Sequence, residues 1–253
     1  MRIIMLATQN NLIKNINYYQ FKNFLECGAL ACFNNRNLDL GFGSSKIEEN
    51  RKEFLSTLGI NHKDLVCCQQ PHGGKVAIVE ESDKGKGAYS FAKAIAECDA
   101  LVTNCKNIPL AVLTADCLPL FLFARKKSVS AIIHAGWRGI KENILENTVF
   151  LMRDKFGVYP QDLLVGLGPA IRGCCYEVKE EFKDYFPGEV LERNGRLYLD
   201  LIGINLGKLL NIGVIKENIF DSGFCTACLN EKFFSFRKEG PAAGRLMSVI
   251  MLR

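Results

Sequence analysis

Apolar residues occur in short runs along the chain, and most of these runs have the length of a buried β-strand. Each run is bounded by residues that favour turns, which is typical of strands in a packed sheet. The pattern predicts strands over residues 75–79, 110–113, 118–123, 129–133, 163–167 and 246–252, and a similar run covers residues 233–236. β-Structure is therefore expected to form much of the core.

Residues at helical spacing lie between these runs. One set repeats every four residues and consists of Ile140, Ile144, Thr148, Met152 and Phe156. Its spacing predicts an amphipathic helix over residues 140–156 that ends at Gly157. Weaker patterns predict helices over residues 48–58, 177–186 and 201–210. Helices and strands are mixed without strict alternation, so the pattern favours an α+β fold with mixed β-sheets flanked by helices.

The chain has 253 residues without an internal repeat or a flexible linker, which predicts one domain over residues 1–253. Its 32 Lys and Arg residues against 27 Asp and Glu residues give a net charge of +5. That charge can attract an anionic ligand, but it is too small for a nucleic-acid-binding surface. No nucleic-acid partner is therefore expected.

The apolar runs are also too short for membrane insertion. The longer ones, such as residues 118–124, have strand length and cannot cross a bilayer. The apolar stretch at the N-terminus breaks after Ala7, which is too short for the core of a signal peptide. We therefore expect a cytoplasmic protein with no membrane partner.

Eleven cysteines, an odd number in a long chain, do not suggest a disulfide framework. Cys225 and Cys228 form a CxxC motif, but neither a second CxxC motif nor a nearby histidine completes a tetrahedral metal site. Buried thiols in a reducing compartment are the preferred interpretation. Two adjacent pairs are also interpreted as packing residues: Cys67 with Cys68, and Cys174 with Cys175.

The sequence contains three histidines, His62, His72 and His134, so any chemistry that needs an imidazole must use these. His72, Cys117 and His134 all lie in segments that contain a turn-forming Gly or Pro. Two imidazoles and one thiolate are the ligand set of a catalytic zinc site with an open fourth position. Their separations of 45 and 17 residues suit ligands from different strands better than a zinc finger. Taken one at a time, each is more simply explained as an ordinary core or surface residue.

Seven segments in a fixed order make the sequence similar to a known family: QPHGGKV, DALVTN, TADCLPLFLF, HAGWRGI, GPAIRGCCYEV, CTAC and FFSFRKEGPAAGR. From about residue 37 onward the chain resembles the laccase-domain family, whose members are called multicopper polyphenol oxidase-like proteins or purine nucleoside phosphorylases. The resemblance implies a single-domain α+β fold, similar to the cysteine-hydrolase-like fold of toxin deamidases. It also implies a zinc ion held by His72, Cys117 and His134. Arg172 stands where the family typically has glycine, and it would add a charge to a loop expected to line the pocket.

The implied substrates are purine nucleosides and phosphate. The reactions are the phosphorolysis of adenosine, inosine, guanosine or methylthioadenosine to base and ribose-1-phosphate, and the deamination of adenosine. Zinc held by two imidazoles and a thiolate can lower the pKa of a bound water towards ~7, which deamination needs. Cys117 and His134 are therefore candidate catalytic residues as well as ligands. Asp116 is the nearest carboxylate that could move protons, and a structural role, capping the turn before Pro119, is an equal alternative.

Phosphorolysis also needs a site for phosphate, which binds guanidinium groups or backbone amides. Arg138 is the first candidate because it follows His134 by four residues, just before a predicted helix. Lys75, Arg237 and Arg245 are weaker candidates. Trp137 is interpreted either as a surface for stacking a base or as packing for the turn.

Three other functions fit parts of the sequence. A copper-dependent polyphenol oxidase is disfavoured, because one centre with two His and a Cys leaves a single histidine for further copper. Copper could still bind at His72, Cys117 and His134, since such sites hold Cu²⁺ more tightly than Zn²⁺. A metal-free hydrolase would use Cys117 as nucleophile and His134 as base. In a regulatory or binding protein the zinc would be structural only. The sequence indicates neither the preferred purine nor the oligomeric state.

Overall fold

A computed structural model describes residues 12–15 and 17–253 of the protein. The expectation that the N-terminus lacks a signal-peptide core concerns residues 1–11 and lies outside the described residues. Fifteen strands are present in the described part: β1 (Leu12–Lys14), β2 (Tyr18–Phe21), β3 (Ala29–Asn34), β4 (Val66–Cys67), β5 (Val76–Ile78), β6 (Ala100–Thr103), β7 (Leu110–Thr114), β8 (Leu118–Ala124), β9 (Val129–Ala135), β10 (Leu163–Leu167), β11 (Glu177–Val178), β12 (Val190–Arg193), β13 (Arg196–Leu199), β14 (Ile219–Asp221) and β15 (Leu246–Leu252).

The same residues form seven α-helices: α1 (Lys22–Glu26), α2 (Ile47–Thr57), α3 (Trp137–Lys141), α4 (Ile144–Phe156), α5 (Phe182–Tyr185), α6 (Leu201–Asn211) and α7 (Phe236–Glu239). The longest, α4, has 13 residues. Among the helices of the described residues, none combines the length and the apolar character needed to cross a membrane.

Two six-stranded sheets form the centre of the molecule. The strand order is β1-β2-β3-β15-β7-β4 in the first sheet and β14-β10-β8-β9-β6-β5 in the second. The first sheet has a parallel pair at one edge, β4 with β7, and the second has one at each edge, β5 with β6 and β10 with β14. The other neighbouring strands are antiparallel, so both sheets are mixed. A smaller sheet has the order β11-β13-β12.

The alternation of side chains along the strands builds three layers of core. In β8, Leu120 and Leu122 pack with residues of α4 and α6, whereas Phe121 and Phe123 pack between the two large sheets. This two-residue period is that of a strand with both faces buried. Along β15, alternate side chains pack either in the core between the two large sheets or in a third core under α2. Helices therefore cover both outer faces of the sheet pair, and the predicted α+β class with mixed sheets flanked by helices is confirmed.

The pairing of β9 places the segments of interest side by side. In its pairing with β8, Pro119 lies opposite His134, and the turn with Cys117 directly precedes β8. In its pairing with β6, Ala100 lies opposite Ile133, which brings Asp99 next to His134. One end of the second sheet therefore holds a thiol, an imidazole and a carboxylate from three different strand ends.

Most predicted elements are confirmed. The strands predicted over residues 163–167 and 246–252 have the predicted bounds, and the other four strands differ by at most two residues at either end. The helices predicted over residues 48–58 and 201–210 correspond to α2 and α6, each shifted or extended by one residue. These are segments whose apolar face packs against a sheet, so the sequence pattern and the burial agree.

Three predictions are wrong in part. The helix predicted over residues 140–156 is divided into α3 and α4, because Asn143 has a left-handed backbone with φ 58°. In the segment 177–186, the first two residues pair with β13 and only Phe182–Tyr185 is helical. Residues 233–236 form no strand: Phe236 begins α7, whose Glu239 accepts a hydrogen bond from the Ser235 amide at 2.9 Å.

Candidate active site

Three separate segments contribute His72, Cys117 and His134. His134 lies near the end of β9, Cys117 lies in the turn between β7 and β8, and His72 lies in the loop between β4 and β5. One ligand atom from each residue lies within 4.8 Å of the others, and the two imidazole centroids are 4.7 Å apart. His134 is buried, Cys117 is half-buried and His72 is exposed. The structure therefore brings together the three residues that the sequence predicts as ligands.

The fully buried carboxylate of Asp99 holds both histidines. Its Oδ1 lies 2.7 Å from His134 Nδ1 and accepts the backbone N–H of His72 at 3.0 Å. Its Oδ2 accepts the N–H of Gly73 at 2.7 Å. Because Nδ1 of His134 is engaged, Nε2 is the nitrogen left for a metal ion or for Cys117.

Sequence reasoning did not find Asp99, although it opens the segment DALVTN. The local sequence gives no signal, since an acidic residue directly before a strand such as β6 can equally lie in an exposed turn. A fully buried aspartate has to be compensated by hydrogen-bond donors or by positive charge. Here the donors are the two histidine-bearing segments themselves, so Asp99 is a positioning residue.

Strained backbone surrounds the cluster. Gln70, His72 and Asp116 are not glycines, yet their φ angles are 57°, 69° and 91°. Such conformations cost free energy and persist only where neighbouring contacts impose them. The Gln70 side chain provides one of these contacts, because its Nε2 donates to the Leu113 carbonyl at 2.7 Å and its Oε1 accepts the Leu113 N–H at 2.8 Å. The Gln70 amide thus pairs with the Leu113 backbone as a neighbouring strand residue would, and it fixes the loop of His72 to β7.

Gly136, which follows β9, lets the ligands approach each other closely. A Cβ at this position would lie 2.9 Å from the Cys117 sulfur and 3.2 Å from His72 Cδ2. Both distances are shorter than ordinary van der Waals contacts. A residue with a side chain would therefore push two of the three donor groups away, which explains the glycine in the segment HAGWRGI.

The charges of the cluster are coupled. Burial alone would raise the pKa of Cys117, but His134 and His72 outweigh it and lower this pKa to about 6. Burial alone would lower the pKa of His134, but Cys117 and Asp99 raise it to about 9. Without a metal ion the pair is thus a thiolate beside an imidazolium at neutral pH. A thiolate is the form that binds metals and also the form that attacks electrophiles.

A cavity of about 850 Å³ opens next to the cluster, and all three residues line it. Its size is within the range of cavities that bind small molecules. Tyr176, Phe42 and the exposed ring of Phe236 also line the cavity, and sequence reasoning did not find any of the three. Burial, followed by the charge of Cys117, raises the pKa of Tyr176 to about 12, so its hydroxyl stays protonated at neutral pH.

Three guanidinium groups line the same cavity: Arg138, Arg237 and Arg245. The Arg138 guanidinium lies 4.3 Å from the Trp137 ring centroid, and those of Arg237 and Arg245 donate to the carbonyls of Glu177 (2.9 Å) and Gly244 (3.0 Å). Among the described residues, the arginines that form ion pairs with carboxylates are others: Arg36, Arg172 and Arg196. The three cavity arginines therefore keep their charge available to an anion. Lys75 lies outside the cavity and pairs with Glu97 at 2.7 Å, so the structure does not support it as a phosphate ligand.

Asp116 lies beside Cys117, but its carboxylate is already hydrogen-bonded. Oδ1 accepts the hydroxyls of Thr226 at 2.6 Å and Ser235 at 2.7 Å, and Oδ2 accepts the Arg237 N–H at 2.6 Å. These bonds fasten two distant loops to the turn of Cys117. The arrangement favours the structural alternative for Asp116, although the loops it anchors are not the predicted cap before Pro119.

Trp137 and Arg172 differ in their relation to the cavity. Trp137 packs against α5, with its ring centroid 5.0 Å from that of Phe182 and stacked on Tyr185 at 5.6 Å, and it also lines the cavity, so its position agrees with both the packing and the base-stacking alternatives. The loop of Arg172 lines the cavity through Ile171 and Tyr176, as expected. Arg172 itself does not, because its side chain forms an ion pair with Asp221 and donates to the Phe224 carbonyl at 3.2 Å.

The interpretation of the CxxC motif as buried thiols is correct for Cys225 and wrong for Cys228. Cys228 and Cys174 are exposed, Cys175 is half-buried, and only Cys225 is buried. The four sulfur atoms lie within 4.8 Å of one another, in a second cluster separate from the cavity.

Comparison with known proteins adds three findings. Residues 29–253 match the family model described as multi-copper polyphenol oxidoreductase laccase. "Purine nucleoside phosphorylase YlmD" from Geobacillus stearothermophilus is 32% identical over 225 residues, which are 85% of this chain and 82% of that protein. "Adenosine deaminase RL5" from an unknown prokaryotic organism is 30% identical over 220 residues, which are 83% of this chain and 84% of that protein.

A solved structure supports the same relationship. The crystal structure of YlmD from Geobacillus stearothermophilus matches with a TM-score of 0.91 and 29% sequence identity, covering 97% of this chain and 100% of that chain. These matches confirm the resemblance found in the sequence and the prediction that the chain is an enzyme.

Proposed function

The chain belongs to the multi-copper polyphenol oxidoreductase laccase family, and we propose that it is a zinc-dependent purine nucleoside phosphorylase that also deaminates adenosine. One observation carries the proposal: the His72, Cys117 and His134 cluster shares its cavity with three arginines that have no carboxylate partner among the described residues. The cluster suits a metal, and the arginines suit phosphate. The names of the two relatives support the two reactions.

His72, Cys117 and His134 would hold the metal ion. The donor set fits zinc because two imidazole nitrogens combine with one thiolate once the metal ion displaces the proton of His134. Asp99 fixes the orientation of His134, as carboxylates commonly do for zinc ligands. Zinc at this position supplies Lewis acidity, which lowers the pKa of a water molecule and so provides the nucleophile for deamination. Copper has the affinity to bind the same donors. A centre with several coppers is disfavoured, since His62, the remaining histidine, contacts Tyr89 at 5.8 Å and does not line the cavity.

The arginines would bind phosphate and the aromatic residues would bind the nucleoside. In phosphorolysis, a phosphate oxygen forms a bond to C1′ of the ribose while the bond from C1′ to the purine nitrogen breaks. Arg138 is proposed to hold the phosphate, since its guanidinium has the fewest competing contacts of the three. The purine leaves with the electron pair and has to take up a proton, and Tyr176 is the neutral donor on the cavity wall. Phe236 offers an exposed ring against which a base can stack.

A metal-free thiol hydrolase is the second candidate, and a specific observation favours it. Asp99, His134 and Cys117 form a line of acid, imidazole and thiol in which the acid orients the imidazole at 2.7 Å. This is the arrangement of a nucleophile with its base and its orienting group. In that case Cys117 would attack the substrate directly, and His72 would contribute only charge.

A product assay tests the proposed reactions. The purified protein is incubated with adenosine in the presence and absence of phosphate, and the products are separated. We expect adenine and ribose-1-phosphate only when phosphate is present, and inosine in its absence. If neither set of products is formed by a preparation with about one zinc ion in the cavity, the proposed substrate class is wrong.

The reactivity of Cys117 distinguishes the zinc enzyme from the thiol hydrolase. A zinc-bound thiolate shares its charge with the metal, so alkylation by iodoacetamide should be slow until a chelator removes the ion. Activity should be lost on chelation and return with added zinc. Rapid alkylation of Cys117 in fully zinc-loaded protein, or full activity after metal removal, would support the hydrolase instead.

A further inference from the structure

A second cluster of thiols lies outside the cavity. Cys174 and Cys175 belong to the loop between β10 and β11, and Cys225 and Cys228 belong to the segment after β14. The Cys228 sulfur lies 3.5 Å from that of Cys174 and 3.3 Å from that of Cys175. All four sulfur atoms lie within 4.8 Å of one another. Two segments about fifty residues apart thus converge at a single point.

We propose that Cys174, Cys175, Cys225 and Cys228 bind one divalent zinc-class cation as a closed tetrahedral site, separate from the cavity. With zinc–sulfur bonds of about 2.3 Å, the sulfurs of a tetrahedral site lie about 3.8 Å apart, which is within the observed spread. The ion displaces the four thiol protons to solvent, so no oxidant or reductant is needed.

Two other fates of the four thiols fit the geometry less well. A disulfide requires sulfurs about 2.05 Å apart, and the 3.3 Å separation of Cys175 and Cys228 exceeds that. An iron–sulfur cluster distributes its cysteines over more than one iron, which separates them more widely than around a single ion. A compact group of four sulfurs with intermediate separations is what a mononuclear site requires.

The backbone around the thiols supports the same arrangement. The N–H groups of Arg172 and Cys228 donate to the Cys225 sulfur. Hydrogen bonds of this kind stabilise a thiolate and commonly surround structural metal ligands. Ala170 and Cys225 form a β-bridge, and Thr226 donates its N–H to the Ala170 carbonyl at 3.1 Å. The two loops are therefore fixed by their backbones in a position that keeps the sulfurs together.

The location of the thiols indicates what the ion would do. Tyr176, next to Cys175, lines the cavity. Thr226, next to Cys225, donates its hydroxyl to Asp116 at 2.6 Å, and Asp116 precedes Cys117. An ion held by four protein ligands has no open position for a substrate. It would therefore act as a staple between the loop that lines the cavity at Tyr176 and the segment whose Thr226 holds Asp116.

Metal analysis of the full chain, purified under reducing conditions, tests the proposal. We expect about two zinc ions per chain in the wild type, about one in Cys228→Ser and in His72→Ala, and none in the double variant. Cys105→Ser, which changes a half-buried thiol outside both clusters, is the matched control and should keep both ions. If Cys228→Ser holds as much zinc as the control, the proposal is overturned. That result would not affect the proposed zinc site in the cavity. Conversely, a wild type that lacks zinc in the cavity but holds it at the four thiols would overturn only the cavity site.

Two further measurements decide the nature of the site. In His72→Ala loaded with Co²⁺, the thiolate-to-cobalt absorption should have the intensity expected for four sulfurs, and Cys228→Ser should lose it. Intact mass under non-reducing conditions should show no loss of hydrogen atoms. A mass lower by two hydrogens without a second metal, or iron together with sulfide, would overturn the proposal in favour of a disulfide or a cluster. Thermal unfolding should occur about 5 °C lower or more in Cys228→Ser than in the control.

Discussion

The two side-chain clusters that we propose as metal sites are held in different ways. In the cavity, His134 is placed by a strand, Asp99 fixes both histidines, and the donor set has one sulfur and two nitrogens. At the surface, two loops converge and all four donors are sulfur. Three donors beside a large cavity leave a position open for substrate, whereas four donors enclose an ion. If both proposals hold, the number of donors and the elements that support them distinguish a reactive centre from a structural one.

The thiols of the two clusters also differ in charge. The imidazoles lower the pKa of Cys117 to about 6 against the effect of burial. Burial, and then the neighbouring thiol of Cys228, raise the pKa of Cys175 to about 11. At neutral pH the cavity thiol is therefore ionised without a metal, whereas Cys175 remains a thiol unless a cation displaces its proton. The cavity thiol is therefore ionised by its imidazole neighbours, whereas the surface cluster combines Cys175, whose pKa is raised, with Cys225, whose pKa is lowered by backbone N–H groups against the effect of burial.

The largest expected effect separates the clusters by activity. His72→Ala should lower kcat/KM for both phosphorolysis and deamination by about 1000-fold, because two remaining ligands hold the catalytic ion weakly. Cys228→Ser should lower kcat/KM by less than about 10-fold while reducing the melting temperature. Steady-state kinetics and thermal unfolding on the same samples measure both quantities. An equal loss of activity in the two variants would abolish the distinction between them.

Asp99→Asn tests whether the buried carboxylate supports zinc binding at the cavity cluster and not at the thiol cluster. The amide cannot accept all the hydrogen bonds that the carboxylate accepts, so zinc affinity of the cavity should fall about 10- to 100-fold. Zinc titration against a competing chelator measures this, and the thiol cluster should be unaffected. Asp154→Asn, which changes an exposed aspartate on α4, is the matched control. Unchanged zinc affinity in Asp99→Asn would remove its role as a positioning residue.

Arg138→Ala tests whether the two proposed reactions use different parts of the cavity. Loss of one charge-assisted contact should raise the KM for phosphate about 10-fold or more and leave deamination unchanged. Arg196→Ala removes an exposed arginine outside the cavity and should leave both reactions unchanged. A parallel decrease of both reactions in Arg138→Ala would indicate a structural role for this residue.

The pH dependence of alkylation tests the difference in thiol charge. In metal-free protein the Cys117 thiolate is the folded-state form above its pKa of about 6, so labelling should slow as the pH falls through that value. Between pH 7 and pH 5 the thiolate fraction, and therefore the rate, should fall about 10-fold. His134 has a pKa of about 9 and stays protonated over this range, so one titration is expected. A midpoint near that of a free cysteine, measured in the same mixture by mass spectrometry, would contradict the coupling.

The sequence pattern predicted the parts of the fold that are governed by burial. Strands such as residues 163–167 and 246–252 follow directly from runs of apolar residues. The division of the helix at Asn143 could not be predicted, because the four-residue repeat continues across it and only the contacts made by the turn select the left-handed conformation. The pattern of apolar residues indicates which positions are buried, but it does not indicate the φ angle of a single residue such as Asn143.

The sequence predicted the ligand residues of the candidate site, but it did not predict the residues that hold them in place. His72, Cys117 and His134 are recognisable because their chemistry and the family resemblance point to the same three residues. Asp99 and the thiol cluster were missed for one physical reason, which is that their partners are distant in the sequence. Cys174 and Cys228 are 54 residues apart, so neither motif looks complete by itself. Convergence of this kind is a property of the fold alone.

The position of β15 has a consequence for folding during synthesis on the ribosome. This strand lies between β3 and β7 in the first sheet, yet it follows every other described strand in the chain. The partners on either side emerge first, and roughly 130 residues of synthesis, about 7 to 26 seconds, separate the end of β7 from the start of β15. During that time the nascent chain exposes two unpaired strand edges, which are prone to wrong pairing. Since Gln70 fastens the loop of His72 to β7, that loop gains its final support only when residues 246–252 have been translated.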